Sequence, residues 1–586
     1  MTSPLTLSGR RRWTLASPAQ DAVAEIVRRE SVPELVATLL VNRGFDAENA
    51  REHLVPDLKR LHDPFLLPGM RAATERVLRA IEGGETILVH GDYDVDGVTG
   101  TALLVRLFRL LGANAVWHIP NRFTDGYSFG THSLERAEAT GATVVISVDN
   151  GTSAADTIGA LRAKGVDTIV TDHHEPPLGA LPDATAIVNP KLDDSEYPFR
   201  ELCGAAVAFK LAWGICQAIS GATRVRADLR DFLVDAMSYV AIATVCDVVP
   251  LVDENHILAR FGLRALEQSA SPGLAAMLAV AGLKGRRLTA EDVGFQIGPR
   301  INASGRLGSA QTAVELLLAE DDTSARELAA KLDGMNIERK RIERALVVEA
   351  KVEAEKFADP ERWPVMVVGG QGWHQGVIGI VAARLVDTYH RPAIVLGFDG
   401  EEGRGSARSV EGFSILEAMH GAAAHMIRYG GHAQAAGCEL RTADLDNLRE
   451  SVCARARELL GGNGQEEPEL VIDAELPFAH MTESLMRQIE RLEPFGEQNG
   501  KPILLSTDLR LAEPPRIVGE DKTHMILRVR SGSTVMKAVA FGMAARASEL
   551  AMGAPLNLVY TPRWNTFRGE TKLELTVVDF CGDATD

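Results

Sequence analysis

Aromatic residues are scarce in this chain, at 5%. Broad stacking surfaces are therefore excluded, and each Tyr, Trp or Phe inside a polar motif carries weight. The six cysteines (Cys203, Cys216, Cys246, Cys438, Cys453 and Cys581) include no CxxC pair, which argues for buried reduced thiols and against a disulfide frame. The longest apolar run, residues 239–252, is broken by Asp247, so no membrane span is expected. The opening stretch MTSPLTLSGRRRWTLASP has no apolar core of a secretory leader, so the expected compartment is the cytoplasm. Positive charge is also in deficit. Lys+Arg 62 against Asp+Glu 80 gives a net charge of −18, which argues against a nucleic-acid coat or a membrane-surface protein. It leaves room for one basic groove on an acidic molecule. What remains is a core-forming chain of 586 residues, 46% apolar and 24% charged, long enough for several domains at roughly 100–200 residues each.

Residues 84–190 alternate short apolar runs with helical patterns. Strands are expected at 86–90, 115–119, 143–148, 168–171 and 186–188, with a helix carrying Leu103, Leu104, Leu107 and Leu111 at helical spacing. Strands alternating with helices imply a parallel sheet covered on both faces, with ligands beyond the carboxyl ends of the strands. Residues 230–320 read as helical and close this domain. A polar-faced helix follows from 323 to 357, with Ser324 and Glu327 as a capping box and Pro360 as its stop. Its alternating charges read as a solvated face on a connector. A second α/β unit and then a run of short β-branched segments, read as a small barrel, complete the chain. The expected division is an N-terminal segment (1–83), a parallel-sheet domain (84–320), the connecting helix (321–360), a smaller α/β domain (361–462) and a barrel (463–586).

The chemistry gathers at strand ends. The first strand runs into His90-Gly91-Asp92-Tyr93-Asp94-Val95-Asp96-Gly97. If the segment stays extended, His90, Asp94 and Asp96 share one side, while Asp92 reads as a turn residue. Taken alone, an Asp-rich helix cap explains this motif equally well. Two further strand ends lead into Asp149-Asn150-Gly151 and Asp172-His173-His174, and Asp247 interrupts an otherwise apolar stretch. Acids and imidazoles at three ends of one sheet would repel one another and resist desolvation. A bound dication supplies the missing positive charge. Mixed carboxylate and imidazole ligands suit manganese or a related transition ion, with magnesium also admitted.

GDYDVDG at 91–97, VDNG at 148–151, TDHHE at 171–175 and ATVCDVVPL at 243–251 resemble the four motifs of the DHH phosphoesterase family. GPRINASGRLGSA at 298–310, GSARS at 405–409, GGHAQAAG at 430–437, LEPFGEQNG at 492–500 and VGEDKTHMILRV at 518–529 are similar to the RecJ branch of that family, with its DHHA1 domain and oligonucleotide-binding (OB) barrel. The likeness runs over nearly the whole chain. It implies metal ligands at Asp94, Asp96, Asp149, His173 and Asp247, with His90 joining a second ion, and two Mn2+ or Mg2+ ions acting on a phosphodiester. His174 would contact the scissile phosphate or the leaving oxygen. Arg122, Arg300, Arg306, Ser406 and Arg408 would grip a 5′-phosphate, Tyr127 would stack on the terminal base, and His432 would approach the substrate from the second domain. On the barrel, Arg516, Lys522 and Arg528, with Trp564 and Phe567 nearby, would track the backbone of a single strand.

The activity so implied is 5′→3′ hydrolysis of single-stranded DNA to mononucleotides, in repair and recombination. Single-strand-binding protein and a RecQ-type helicase are the implied protein partners, and the chain is expected to act as a monomer. Two rival readings are a nano-RNase or short-nucleotide phosphatase of the same family, and a catalytically silent DNA-binding scaffold.

Overall fold

The structure, a computed structural model, describes residues 11–125, 129–221, 224–461, 469–567 and 569–582. Its first sheet has five parallel strands in the order Ala115–His118, Ile87–His90, Val144–Val148, Asp167–Thr171 and Ala186–Val188. Side chains alternate across the sheet. Ile87, Val89, Val144, Ile146 and Ile169 point into the large core shared with the helices Val95–Leu110, Gly204–Ser220 and Ala227–Cys246. Leu88, Val145 and Val170 point the other way, into a smaller core under Thr131–Thr140 and Ala155–Ala163. Both faces are dry, which is why these strands read as nearly continuous apolar runs.

A single helix, Asp322–Ala354, leaves this domain. At 33 residues it is about 50 Å long. Its N-cap is Asp321, whose side chain accepts from the backbone N–H of Thr323 and Ser324. The expected Ser324–Glu327 box is thus replaced by an Asp one turn earlier. Its first half packs Ala325, Ala329 and Leu332 into the first core, and its second half packs Leu346, Ala350 and Ala354 against the next domain. There a mixed sheet runs Arg428–Gly431, Ala435–Arg441, Glu402–Arg408, Ala393–Asp399 and Met366–Gln371.

The last domain is a seven-stranded sheet that curls until Arg510 and Leu511 pair with Arg530 and Val529, closing a barrel. The N-terminal segment is split, contrary to the single 1–83 unit expected. The strand Arg12–Leu15 pairs in parallel with Glu469–Ile472, and the helices of 20–54 share a core with the barrel. Helix Met70–Glu82 belongs to the first domain instead. The reason is apolar demand, since Val36, Leu39 and Leu40 need a partner surface and the barrel's Phe478, Leu492 and Leu504 supply it. None of the six cysteines is in a disulfide among the described residues. Among the described residues no helix is long and apolar enough to cross a membrane.

Trp13 ties the two ends of the chain together. It is 1% exposed and its indole N–H donates to Asp579 at 2.9 Å, while Arg546 donates to the same carboxylate at 2.6 Å. Truncating Trp13 to Ala is expected to cost the barrel about 3–5 kcal/mol. In calorimetry the barrel transition of Trp13→Ala should move down while the rest of the trace holds. An unchanged barrel transition would contradict this packing.

Candidate metal centre and phosphate pocket

The first strand ends at His90, and by Val95 the chain is already helical. Asp94 is the N-cap, its side chain accepting from the N–H groups of Asp96 (2.9 Å) and Gly97 (3.2 Å). Asp96 lies in the first turn and accepts from the N–H groups of Gly204 and Ala205, both at 2.6 Å, at the start of helix Gly204–Ser220. Asp149 follows the third strand of the sheet with φ of 64°, a left-handed backbone that a non-glycine residue rarely adopts. Gly204 must be a glycine for this to fit, because a Cβ there would lie 2.6 Å from that of Asp149. Asp247 caps the carboxyl end of the 20-residue helix Ala227–Cys246, where the helix dipole opposes a negative charge. Val248 next to it also has a positive φ, 60°, which a β-branched residue adopts only under constraint.

These segments converge on His173. Its Nε2 lies 3.2 Å from Asp149, 3.6 Å from Asp247 and 3.7 Å from Asp96. Burial, then the charge of His174, holds the ring down to about 3, so it offers a lone pair and no counter-charge. The carboxylates are strained electrically. Burial, then Asp94, pushes Asp92 and Asp96 up to about 7. Burial, then Asp96 and Asp94, pushes Asp247 up to about 8 and Asp149 well above its ordinary range. Asp149 Oδ1 and His173 Nε2 are buried and meet no hydrogen-bond partner among the described residues. Orphaned ligand atoms among crowded acids fit a dication. Ligand atoms of Asp96, His173 and Asp247 lie within 4.8 Å of one another, as do those of Asp92, Asp94 and Asp149. Asp149 also groups with His173 and His174. The two carboxylate-rich groups adjoin through the 3.2 Å contact of Asp149 with His173.

His174 takes a different role. Its Nδ1 lies 2.7 Å from Asp172, and that hydrogen bond raises the imidazole to about 9. It is a half-exposed cation at the edge of the centre. Asp172 accepts in turn from the N–H groups of Thr152 (2.9 Å) and His173 (2.8 Å), and the His174 cation holds it well below the carboxylate range. It orients His174 and is not itself in the ligand groups.

A second cluster is cationic. Burial, then the proximity of Arg122, Arg339 and Arg408, lowers the Arg306 guanidinium to about 10. Arg306 donates to the Gly376 carbonyl at 3.2 Å, and Arg408 donates to Ser406 Oγ at 3.2 Å. The start of the 12-residue helix Ile378–Tyr389 abuts them, since a Cβ on Gly379 would meet Ser406 Oγ at 2.9 Å. Guanidiniums from both domains and the linking helix, beside a helix N-terminus, suit an anion such as phosphate. A cleft of about 520 Å³ runs from the Asp247 turn, lined by Cys246 and Val248, to Arg306 and Arg339.

Several expected residues lie elsewhere. His90 sits on the face of Leu88, against His118, His132 and Phe129, because the extended alternation stops before Asp94. Arg300 is committed to Asp333 at 2.9 Å and to the Gln296 carbonyl at 2.7 Å, so it ties its helix to the long one. His432 is exposed at the hairpin between Arg428–Gly431 and Ala435–Arg441, beside the strand of Arg408. Tyr127 and the side chain of Phe567 lie outside the described residues. Arg516, Lys522 and Arg528 are exposed, but the cleft between barrel and first domain, about 1310 Å³, is lined instead by Arg487, Lys501, Arg563 and Trp564, facing Arg260 and Arg287.

Three contributors escaped the sequence reading. Asp92 groups with Asp94 and Asp149. Arg339, read as solvated, is 8% exposed. The stripe Ala325, Ala329, Leu332, Asn336, Arg339, Leu346, Ala350 is buried throughout, and two polar members inside an apolar helical stripe were the available signal. Phe295 is 74% exposed on the π-helical turn Val293–Ile297 and lines both clefts. No periodicity marks it.

A parallel sheet with acids and imidazoles at its strand ends, joined by one helix to a second domain that completes an anion pocket, defines a phosphoesterase of the DHH class. The family profiles agree: DHH family, N-terminal domain, over residues 86–239, DHHA1 domain over 363–458, and RecJ OB domain over 472–579. The single-stranded-DNA-specific exonuclease RecJ of Bacillus subtilis is 36% identical over 579 residues, covering 98% of this chain and 71% of the relative. That of Escherichia coli is 33% identical over 93% of this chain and 95% of its own length. The crystal structure of Thermus thermophilus RecJ in complex with Mn2+ superposes with a TM-score of 0.81 at 30% identity, over 98% of this chain and 80% of that one. The chain belongs to the RecJ family.

Carboxyls raised to about 7 and 8 must lose protons to bind an ion, so affinity falls as pH drops through that range. Manganese binding should be about tenfold or more tighter at pH 8 than at pH 6, with proton release seen by calorimetry in buffers of different ionisation enthalpy. A pH-independent affinity would contradict these protonation states.

Proposed function

We propose that this chain is a divalent-metal-dependent exonuclease that degrades single-stranded DNA from its 5′ end to mononucleotides. The observation that carries this is the adjacency of two complementary clusters, carboxylates and imidazoles that accept cations and guanidiniums that accept phosphate, with Arg122 of the second near enough to act on Asp92 of the first. The family supports the single-stranded substrate, since its curated relatives are named for that specificity.

Asp92, Asp94, Asp96, Asp149, His173 and Asp247 would hold Mn2+ or Mg2+, consistent with RecJ structures in complex with either ion. Bound there, the ions would supply Lewis-acid activation of water and neutralise charge on the phosphodiester. Arg122, Arg306, Arg339 and Arg408 hold the terminal 5′-phosphate and set the first internal diester over the acidic cluster. The His174 cation, oriented by Asp172, donates to an oxygen of that diester and stabilises the charge that grows on it. Water adds to phosphorus, the bond to the 3′-oxygen breaks, and that oxygen takes a proton. The released mononucleotide keeps its 5′-phosphate, and the shortened strand begins with a new one. Each product strand is therefore again a substrate for the same pocket. Phe295 stacks on a base in the approach, and Trp564 with Arg563 extends the track along the barrel.

With manganese, DNA labelled at the 5′ end should lose label at once and DNA labelled at the 3′ end only late; the reverse order would refute the polarity. Arg408→Ala removes one charged contact to the end, so the preference for 5′-phosphate over 5′-hydroxyl should fall by about 10- to 100-fold. An unchanged ratio takes Arg408 out of the pocket. Phe295→Ala should weaken binding of single-stranded DNA by about 1–3 kcal/mol in fluorescence titrations, with manganese affinity untouched. Wild-type affinity would dismiss the stacking role.

A further inference from the structure

The connection that carries Arg122 is bracketed by histidines that this chemistry does not use. His118 ends the edge strand Ala115–His118 and stands in register with His90 on the neighbouring strand. His132 is in the first turn of helix Thr131–Thr140, which covers the same face. The three ring centroids form a nearly equilateral triangle, at 5.2 Å between His90 and His118, 5.4 Å between His90 and His132, and 5.6 Å between His118 and His132. One nitrogen from each ring lies within 4.8 Å of the others. Three imidazoles on a tetrahedral zinc, with Zn–N of about 2.0–2.1 Å, place their centroids about 5 Å apart. The triangle needs only a small contraction to match.

A second observation points to a ligand. His90 is fully buried, and neither its Nδ1 nor the Nε2 of His118 meets a hydrogen-bond partner among the described residues. Leaving such a nitrogen buried and unpaired is destabilising. The other nitrogen of His90, Nε2, lies 3.0 Å from Ser133 Oγ, which also accepts the Gly130 N–H at 3.2 Å. Metal-bound imidazoles are commonly oriented by an acceptor on the far nitrogen, a place the Ser133 hydroxyl would fill here. Burial first, then His132, holds His118 down to about 4, so it is in the neutral form that binds metal.

We propose that His90, His118 and His132 form a metal site distinct from the carboxylate centre, taking an imidazole-preferring transition dication of the zinc type. The donor set decides the ion. Three neutral nitrogens suit zinc and its neighbours in the transition series, whereas the oxygen-rich cluster suits magnesium or manganese. The two sites would therefore sort different ions. An ion between these rings would tie the strand end at His118 to the helix start at His132, fixing both ends of the connection that bears Arg122. That consequence for the phosphate pocket rests on the proposed function, but the site itself does not.

The test uses the full chain stripped of metal and reloaded with zinc and manganese. Crystals measured above and below the zinc absorption edge should show an anomalous peak between the three imidazoles, independently of any variant. In solution, wild type and Asp149→Ala should each retain one zinc per chain more than the double variant His118→Ala/His132→Ala, by elemental analysis after gel filtration. No zinc peak at the triad in zinc-loaded crystals, or equal zinc content in the double variant, overturns the proposal. Manganese-dependent cleavage, followed on the same samples, reports only on the exonuclease reading. A zinc peak in a protein that does not cleave DNA would uphold this site and count against that reading.

Discussion

Mutual repulsion among buried carboxylates is the constraint around which the first domain is built. Asp92, Asp96, Asp149 and Asp247 are all pushed above the ordinary carboxylate range by burial and by one another. The fold does not relieve this. It spends backbone strain at Asp149 and Val248 to hold the acids together, and it aims the first N–H groups of helix Gly204–Ser220 at Asp96 so that this carboxylate cannot turn away. Added positive charge stabilises such an arrangement, so a bound cation would serve the architecture as much as the chemistry.

The barrel contributes to that centre at a distance. Its stretch around 492–500 docks on the turn that carries Asp247. The Leu251 N–H donates to the Glu497 carbonyl at 2.9 Å, and His256 lies 3.1 Å from the Glu493 carbonyl. Asn499, fully buried, braces the loop by donating to the Leu492 and Pro494 carbonyls, both at 2.8 Å. A segment that reads as part of a nucleic-acid-binding module therefore also braces a strained ligand turn. The guanidinium cluster shows the same logic with the sign reversed, since burial, then Arg122, Arg339 and Arg408, destabilises Arg306 as a cation. Two clusters of opposite sign adjoin, with Arg122 near enough to act on Asp92. Their local fields matter to a polyanion far more than the net charge of −18.

Much was legible from sequence because it depends on local rules. The parallel strands and the connecting helix followed from apolar runs and turn residues, and acids and imidazoles at three strand ends pointed to a cation, while the particular set Asp94, Asp96, Asp149, His173 and Asp247 was what the family resemblance implied. Side-chain direction was less secure. His90 was expected beside Asp94 and Asp96 because an extended chain alternates, but the strand stops at His90 and the helix starts at Val95. One change of backbone state reverses which face a residue serves. Asp92 was undervalued for the same reason.

What the sequence by itself determined was therefore the set of elements and the residues standing at their ends, since hydrophobic period and turn chemistry act over a few residues. What only the tertiary structure decided was which of those residues meet. Arg339 lies near Arg306, while Arg300 pairs with Asp333, contacts set by how the helix Gly298–Leu307 packs on the long one. The barrel's cleft is lined by Arg563 and Trp564, and not by Arg516, Lys522 and Arg528, because docking chose which face looks inward. Contacts of that kind depend on how rigid units are placed across long stretches of chain, and no short-range pattern records it.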